Sequence, residues 1–409
     1  MIEKHTSQNG MRIVFESIPS VRSVTIGIWI KTGSRNETEN INGISHFLEH
    51  MFFKGTNTRS PQDIAEAFDA IGGQVNAMTS KEYTCIYAKV MDTHKEEALE
   101  ILADMFFNST FDEEEMEREK KVVLEEIRMY EDTPDDMVHD LLAHASFGDH
   151  PLGYPILGSE KQLQSFSPET LKTYINERYT PDNVVVSIAG NADDTFIQTA
   201  EDYFSRFEAS EAKHIGLERP EFLGRQIERQ KDTEQAHLCL GYHGLPVDDE
   251  NMYSLITLNN VLGGSMSSRL FQEVREKQGL AYAVFSYHAS FLDNGLLTIY
   301  AGTGKEQLPK LRETINRTVD DLIQNGLTDK ELTNSKEQLK GNLMMSLEST
   351  SSRMSRNGQN ELLLNKHRSM DDMITEIDAV THDKLRSVID SVLRPAPSSA
   401  LIGPESVIS

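Results

Sequence analysis

Apolar and polar positions change rhythm several times along this chain. Thr25-Ile26-Gly27-Ile28-Trp29-Ile30, Tyr83 to Val90 and Ala236 to Tyr242 are short, apolar and rich in β-branched or aromatic residues, and they read as strands. Glu113 to Tyr130 has the charged, spaced-apolar pattern of a long amphipathic helix. The strands come in groups and do not alternate strictly with helices, which predicts an α+β fold rather than a doubly wound sheet.

The pattern repeats. Thr25 to Ile30 opens the first half as His237-Leu238-Cys239-Leu240-Gly241-Tyr242 opens the second. Cys85-Ile86-Tyr87-Ala88 leads through a helical run to Phe111, as Thr298-Ile299-Tyr300-Ala301 leads to Leu327. Two homologous domains are therefore expected, residues 1–215 and 233–409. Between them lies a polar linker, residues 216–232, within the charged stretch Glu208 to Thr233 that contains Pro220. Setting Phe111 opposite Leu327, a shift of 216 positions, brings Asn342 opposite Glu126 and Ser335 opposite Glu119.

Candidate chemistry sits in the first half only. His46-Phe47-Leu48-Glu49-His50 carries two imidazoles and a carboxylate on one face of a helix. Two histidines one turn apart can bind a single zinc ion, and the glutamate between them can take a proton from a metal-bound water. A solvated polar helix would not need the apolar flanks Gly43-Ile44-Ser45 and Met51-Phe52-Phe53. Glu126 is the candidate third ligand, and Glu119, seven residues earlier, projects from the same side of its helix.

At 409 residues the chain is long enough for two cores, and its formal charge of −25 argues against nucleic acid and against anionic membrane as partners. No run of eighteen apolar residues occurs, and the start has no signal-peptide pattern, so a cytoplasmic protein is expected. Cys85 and Cys239, the two cysteines, fall in strand-like runs and are expected as reduced core thiols. Leu343-Met344-Met345-Ser346-Leu347 is expected in the core.

The spacing of His46, Glu49, His50 and Glu126 resembles the pitrilysin family of zinc peptidases, the inverzincins. Chain length and the two halves resemble its mitochondrial processing peptidase branch, including bacterial homodimeric members. The resemblance implies one zinc ion per chain held by His46, His50 and Glu126, with Glu49 as general base and Glu119 in support. It implies two α/β-sandwich-like domains forming half of a clamshell, and a homodimer whose composite sites take Arg275 and Tyr282 from the domain facing the metal. Gly72 to Ser80 resembles the family's edge segment that pairs with an extended peptide, with Asn76 and Ala77 as its contacts. Asp136 and Asp140 stand where processing peptidases receive an arginine near the cut site, though capping and surface charge would explain them equally. Gly263-Gly264 has too few glycines to define a loop function.

The expected activity is endopeptidase cleavage of extended or unfolded peptides, with a preference for basic residues near the cut. The family also supplies catalytically silent or partner-dependent subunits, which remain the alternative, and a metal-dependent amidohydrolase of small molecules is a further one.

Overall fold

Ser-Val-Thr-Ile-Gly-Ile-Trp-Ile has no polar face, which suits a strand in the middle of a sheet covered on both sides. A computed structural model of the chain, describing residues 2–208 and 217–405, has it there. The first sheet has six strands, β1 (Ile2–Thr6), β2 (Arg12–Ser17), β3 (Ser23–Ile30), β4 (Gln74–Thr79), β5 (Thr84–Met91) and β6 (Val184–Gly190), in the order β1-β2-β6-β3-β5-β4. The second has five, β7 (Gln226–Gln230), β8 (Gln235–His243), β9 (Ala281–Ser290), β10 (Gly295–Gly304) and β11 (Ser398–Gly403), in the order β7-β11-β8-β10-β9.

With β1 set aside the two orders are the same, and each sheet has one parallel pair, β2 with β6 and β7 with β11. Thr25–Ile30 lies in β3 and His237–Tyr242 in β8, equivalent central strands, while Cys85–Ala88 and Thr298–Ala301 occupy the equivalent strands β5 and β10. The duplication legible in the sequence is thus a repeat of topology.

The described helices begin with α1 (Ile44–Met51), α2 (Pro61–Ala70), α3 (Lys95–Asn108), α4 (Glu113–Asp132) and α5 (Pro134–Phe147). Packing divides the chain into two units, and each is discontinuous. The unit with the first sheet takes in residues up to Arg128, Pro155–Leu217 and Met345–His367; the other takes in Met129–Tyr154, Glu218–Met344 and the residues from Arg368 onward. The switch at Leu217 and Glu218 falls within the expected linker, and the other switches exchange one helix in each direction. Helix α5, from the first half of the sequence, packs on β8 and β11, and helix Thr350–Leu364, from the second half, packs on β2, β3 and β6.

Each sheet has a thick apolar layer on one face. Ile26, Ile28, Phe47, Leu48, Leu99 and Ile188 belong to the layer of the first unit, Leu255, Leu258, Leu297, Ile299 and Leu311 to that of the second. The exchanged helices cover the opposite faces. Met354 and Leu362 close over Val14, Trp29, Cys85 and Val185, and Val138 and Leu142 close over Cys239 and Ala400. Helix Thr350–Leu364 approaches so closely that a Cβ at Gly358 would lie 2.3 Å from the Trp29 indole nitrogen.

Two expectations are altered, those for the linker and for Leu343 to Leu347. The boundary at 215–216 lies outside the described residues. Within the expected linker, Gln226–Gln230 is the edge strand β7, because its amides find partners along β11 that a polar linker would have left to water. Met344 and Met345 are exposed, on the open side of the last turn of helix Asp329–Ser346, and Leu347 alone of that stretch is buried. Cys85 and Cys239 are buried and unbridged. No helix among the described residues is long and apolar enough to cross a membrane.

Candidate active site

Helix α1 forms because Ile44, Phe47, Leu48 and Met51 recur at helical spacing and are all buried, which leaves His46, Glu49 and His50 on the adjoining face. It starts at Gly43, whose φ of +93° favours glycine and whose Cβ, if present, would lie 2.7 Å from the Leu157 carbonyl oxygen. Gly43 has no side chain to cap the helix, and Glu37 does so from outside. Its buried carboxylate accepts from the amides of Gly43 (2.7 Å) and Ser45 (2.9 Å) and from Asn42 Nδ2 (3.0 Å). Burial raises the Glu37 pKa even though these amides favour its charged form.

Helix α4 brings Glu119 and Glu126 to α1. His46 Nε2 lies 3.7 Å from one Glu126 oxygen and His50 Nε2 lies 3.4 Å from the other. Ligand atoms from His46, His50 and Glu126 all fall within 4.8 Å of one another, the one such three-residue group found among the described residues. Four-coordinate zinc with bonds of ~2.0–2.1 Å spaces its ligand atoms by about 3.4 Å. Two imidazole nitrogens and one carboxylate oxygen at these separations fit that ion with small adjustments.

The two histidines differ in surroundings. Burial, aided by the neighbouring His50, lowers the His46 pKa to about 4, and its Nδ1 is buried without a hydrogen-bond partner. Burial also works against charge on His50, but hydrogen bonds to Glu119 and Glu126 outweigh it and lift its pKa to about 9. His50 Nδ1 donates to Glu119 at 2.8 Å, and Lys54 Nζ donates to the other Glu119 oxygen at 2.6 Å. That bond turns His50 Nε2 toward Glu126, the arrangement a metal-binding imidazole needs.

Glu49 lies one residue from His50, and its Oε2 accepts a 2.6 Å hydrogen bond from the Thr79 hydroxyl. Burial raises its pKa, against the opposing pull of Thr79 and His50. A carboxylate so raised is a better proton acceptor near neutrality.

The remaining sequence candidates fall in several places. Asn76 and Ala77 lie on β4, the outer strand of its sheet; Asn76 is exposed and Ala77 buried. Arg275, from the π-helical turn Phe271–Glu276, stacks 4.8 Å from the ring centres of both Phe271 and Tyr282, and Tyr282 at the start of β9 is 80 % exposed. Asp136 and Asp140 lie on α5, where the Tyr130 hydroxyl donates to the Asp136 main-chain carbonyl at 3.0 Å. The structure thus gathers His46, Glu49, His50, Glu119 and Glu126 in the first unit, and it pairs Arg275 with Tyr282 in the second.

Three contributors were missed in the sequence. Thr79 carried no signal beyond its nearness to Asn76, Glu37 none beyond an acid preceding a helix, and Lys54 was legible only as the residue one turn after His50. In the second unit Ser335, the residue opposite Glu119, accepts a 2.9 Å hydrogen bond from Asn260 Nδ2 and carries no carboxylate.

Comparison with known proteins gives the chain a family. The family described as "Insulinase (Peptidase family M16)" matches residues 12–160, and "Peptidase M16 inactive domain" matches residues 165–339. The chain is 60 % identical over 404 residues to a Bacillus subtilis protein named as the uncharacterized zinc protease YmxG, covering 99 % of this chain and 98 % of that one. It is 42 % identical to an uncharacterized zinc protease of Streptomyces coelicolor over 98 % of this chain and 90 % of the relative. A crystal structure of a protease from Helicobacter pylori superposes with a TM-score of 0.91 at 22 % identity, covering 99 % of both chains.

Proposed function

This chain belongs to peptidase family M16, the insulinase family, and from that premise we propose that it is a zinc-dependent endopeptidase acting on extended or unfolded peptides. The convergence of His46, His50 and Glu126, with Glu49 beside them, carries the reading. Bound there, zinc would polarise the scissile carbonyl and acidify a water.

The chain's own residues do the rest. His46, His50 and Glu126 would hold the ion, and Glu119 keeps the His50 ring aligned. Glu49 takes the proton of the attacking water and returns it to the departing amine, a shuttle helped by its raised pKa. An exposed edge strand beside the ligands supports extended substrates, because backbone pairing on an edge asks little of sequence and much of an unfolded conformation.

The reading extends to a homodimer in which Arg275 and Tyr282 of one subunit face the candidate metal site of the other and would stabilise negative charge developing on the scissile carbonyl. Their mutual stacking and the exposure of Tyr282 support it. It extends also to basic residues near the cut, with Asp136 and Asp140 as their acidic partners. A pool of unfolded, partly basic peptides given to wild type and Glu49→Gln, with cut sites read by mass spectrometry and zinc measured on both, tests it. Cleavage by wild type alone with zinc in both is expected. No cleavage by zinc-loaded wild type would turn the choice to a silent or partner-dependent subunit.

A further inference from the structure

Glu49 is held by a strand that has an open side. A hydroxyl has one hydrogen, and Thr79 spends it on Glu49 at 2.6 Å rather than on the Ser45 carbonyl, 3.5 Å away. With Oε2 so engaged, proton transfer falls to Oε1. The side chain of Thr79 therefore sets how the base is aimed.

Its backbone faces elsewhere. The Ser80 amide donates to the Tyr83 carbonyl at 2.8 Å, toward β5, and backbone groups alternate in direction along a strand. Thr79 and Ala77 consequently turn their amides and carbonyls to the unpaired edge of β4. A second observation agrees: the Ala77 amide is taken up by the side chain of Asn76 at 2.9 Å, a local stand-in that an incoming strand would displace. Beyond Thr79 the hairpin is pinned. Ser34 and Arg35 amides donate to the Ser80 and Lys81 carbonyls at 3.2 and 2.7 Å, and Arg35 pairs with Glu82 in a buried ion pair.

Resting on the peptidase reading above, we infer that Thr79 is a positioning residue that couples docking of an extended peptide on β4 to the aim of Glu49. A peptide that adds to the edge bonds the backbone of the residue whose hydroxyl orients the base. Occupation of the edge then raises turnover as well as affinity, because binding energy remote from the cut is used to align the reacting groups.

Two quenched-fluorescent peptides sharing one cut site, a long one that can span β4 and a truncated one, test the coupling on the full chain. Wild type should turn over the long peptide with a kcat roughly 10-fold or more above that of the short one. Thr79→Val should lower kcat for the long peptide by roughly 10–100-fold, with KM and zinc content within about twofold of wild type, and should erase the difference between the peptides. Thr79→Ser, which restores the hydroxyl, should restore both. Wild-type kcat in Thr79→Val, a length effect that persists in it, or a loss seen only in KM would overturn the inference.

A second readout needs neither zinc nor turnover. In metal-free protein the carbon-13 methyl resonance of Thr79 should shift on Glu49→Gln, and separately on addition of the long peptide but not the short one. A resonance indifferent to the peptide would also overturn the coupling. Zinc-loaded wild type that cleaves neither peptide would count against the peptidase reading, while the methyl resonance would still decide the coupling.

Discussion

Trp29 donates its indole N–H to the sulfur of Met354 across 3.2 Å, joining a strand of the first half of the sequence to a helix of the second. Around them Val14, Cys85, Val185 and Leu362 are fully or almost fully buried, and Arg353 and Asn357 hold the Glu16 carboxylate. Five or so large side chains at roughly 1.5–3 kcal/mol each amount to on the order of 10 kcal/mol, comparable with the whole stability of a domain. Residues 1–215 expressed alone should therefore be insoluble or bind a hydrophobic dye without a cooperative melt, and co-expression with 217–409 should rescue them. Met354→Ala in the full chain should cost about 2–5 kcal/mol by urea denaturation. A soluble, cooperatively melting fragment 1–215 would refute this account of the unit.

Glu119 divides its oxygens between His50 and Lys54. Glu119→Gln cannot satisfy both donors, so His50 loses its alignment while the three ligands remain. Zinc affinity should fall about 10–100-fold in a chelator competition, with secondary structure unchanged by circular dichroism. Unchanged affinity would reduce Glu119 to a partner of Lys54.

Composite sites can be probed by mixing two inactive proteins. Arg275→Ala and Glu49→Gln homodimers should each be inactive, and co-refolding them should recover roughly a quarter of wild-type activity if half the dimers are mixed and each has one intact site. Absence of recovery, with mixed dimers demonstrated by mass spectrometry, would place each complete site within one subunit.

The pH dependence of stability has a specific contributor in the second unit. Burial alone would raise the Glu331 pKa, but the two-point grip of Arg269 at 2.7 and 2.8 Å and the Thr328 amide bring it from 4.5 down to about 2. The folded value lies below the unfolded one, so the stabilisation is present above about pH 4.5 and is lost as pH falls toward 2. Because Glu331 is partly exposed, screening reduces the effect, and Arg269→Met should cost roughly 1–2 kcal/mol at pH 7. The gap between variant and wild type in urea unfolding should narrow at pH 3; a gap independent of pH would assign the loss to packing.

The candidate site was legible because zinc-peptidase chemistry demands a fixed spacing on a helix, and His46, Glu49 and His50 keep it. Repetition was legible because β3 and β8, and β5 and β10, are apolar in the same rhythm. The exchange of α5 and Thr350–Leu364 was not, since a helix advertises an apolar face without naming the sheet that will take it. Strand β7 escaped notice because Gln-Ile-Glu-Arg-Gln at an edge needs hydrogen-bond partners more than apolar residues, and Met344 and Met345 show the reverse error, apolar residues left outside. Thr79, Glu37 and Lys54 act through single hydrogen bonds, which have no period to detect.

The exchanged helices also bear on descent. Pro134 and Thr350, where they begin, are separated by 216 positions, the same shift that sets Phe111 opposite Leu327. Equivalent segments are therefore traded, which is the connectivity that a helix-swapped pair of identical chains acquires when joined end to end. In a fused pair of this kind the candidate metal-site positions need be kept by one copy only, Ser335 and Asn342 standing opposite Glu119 and Glu126, yet neither copy can be deleted, because each still carries the other's missing layer.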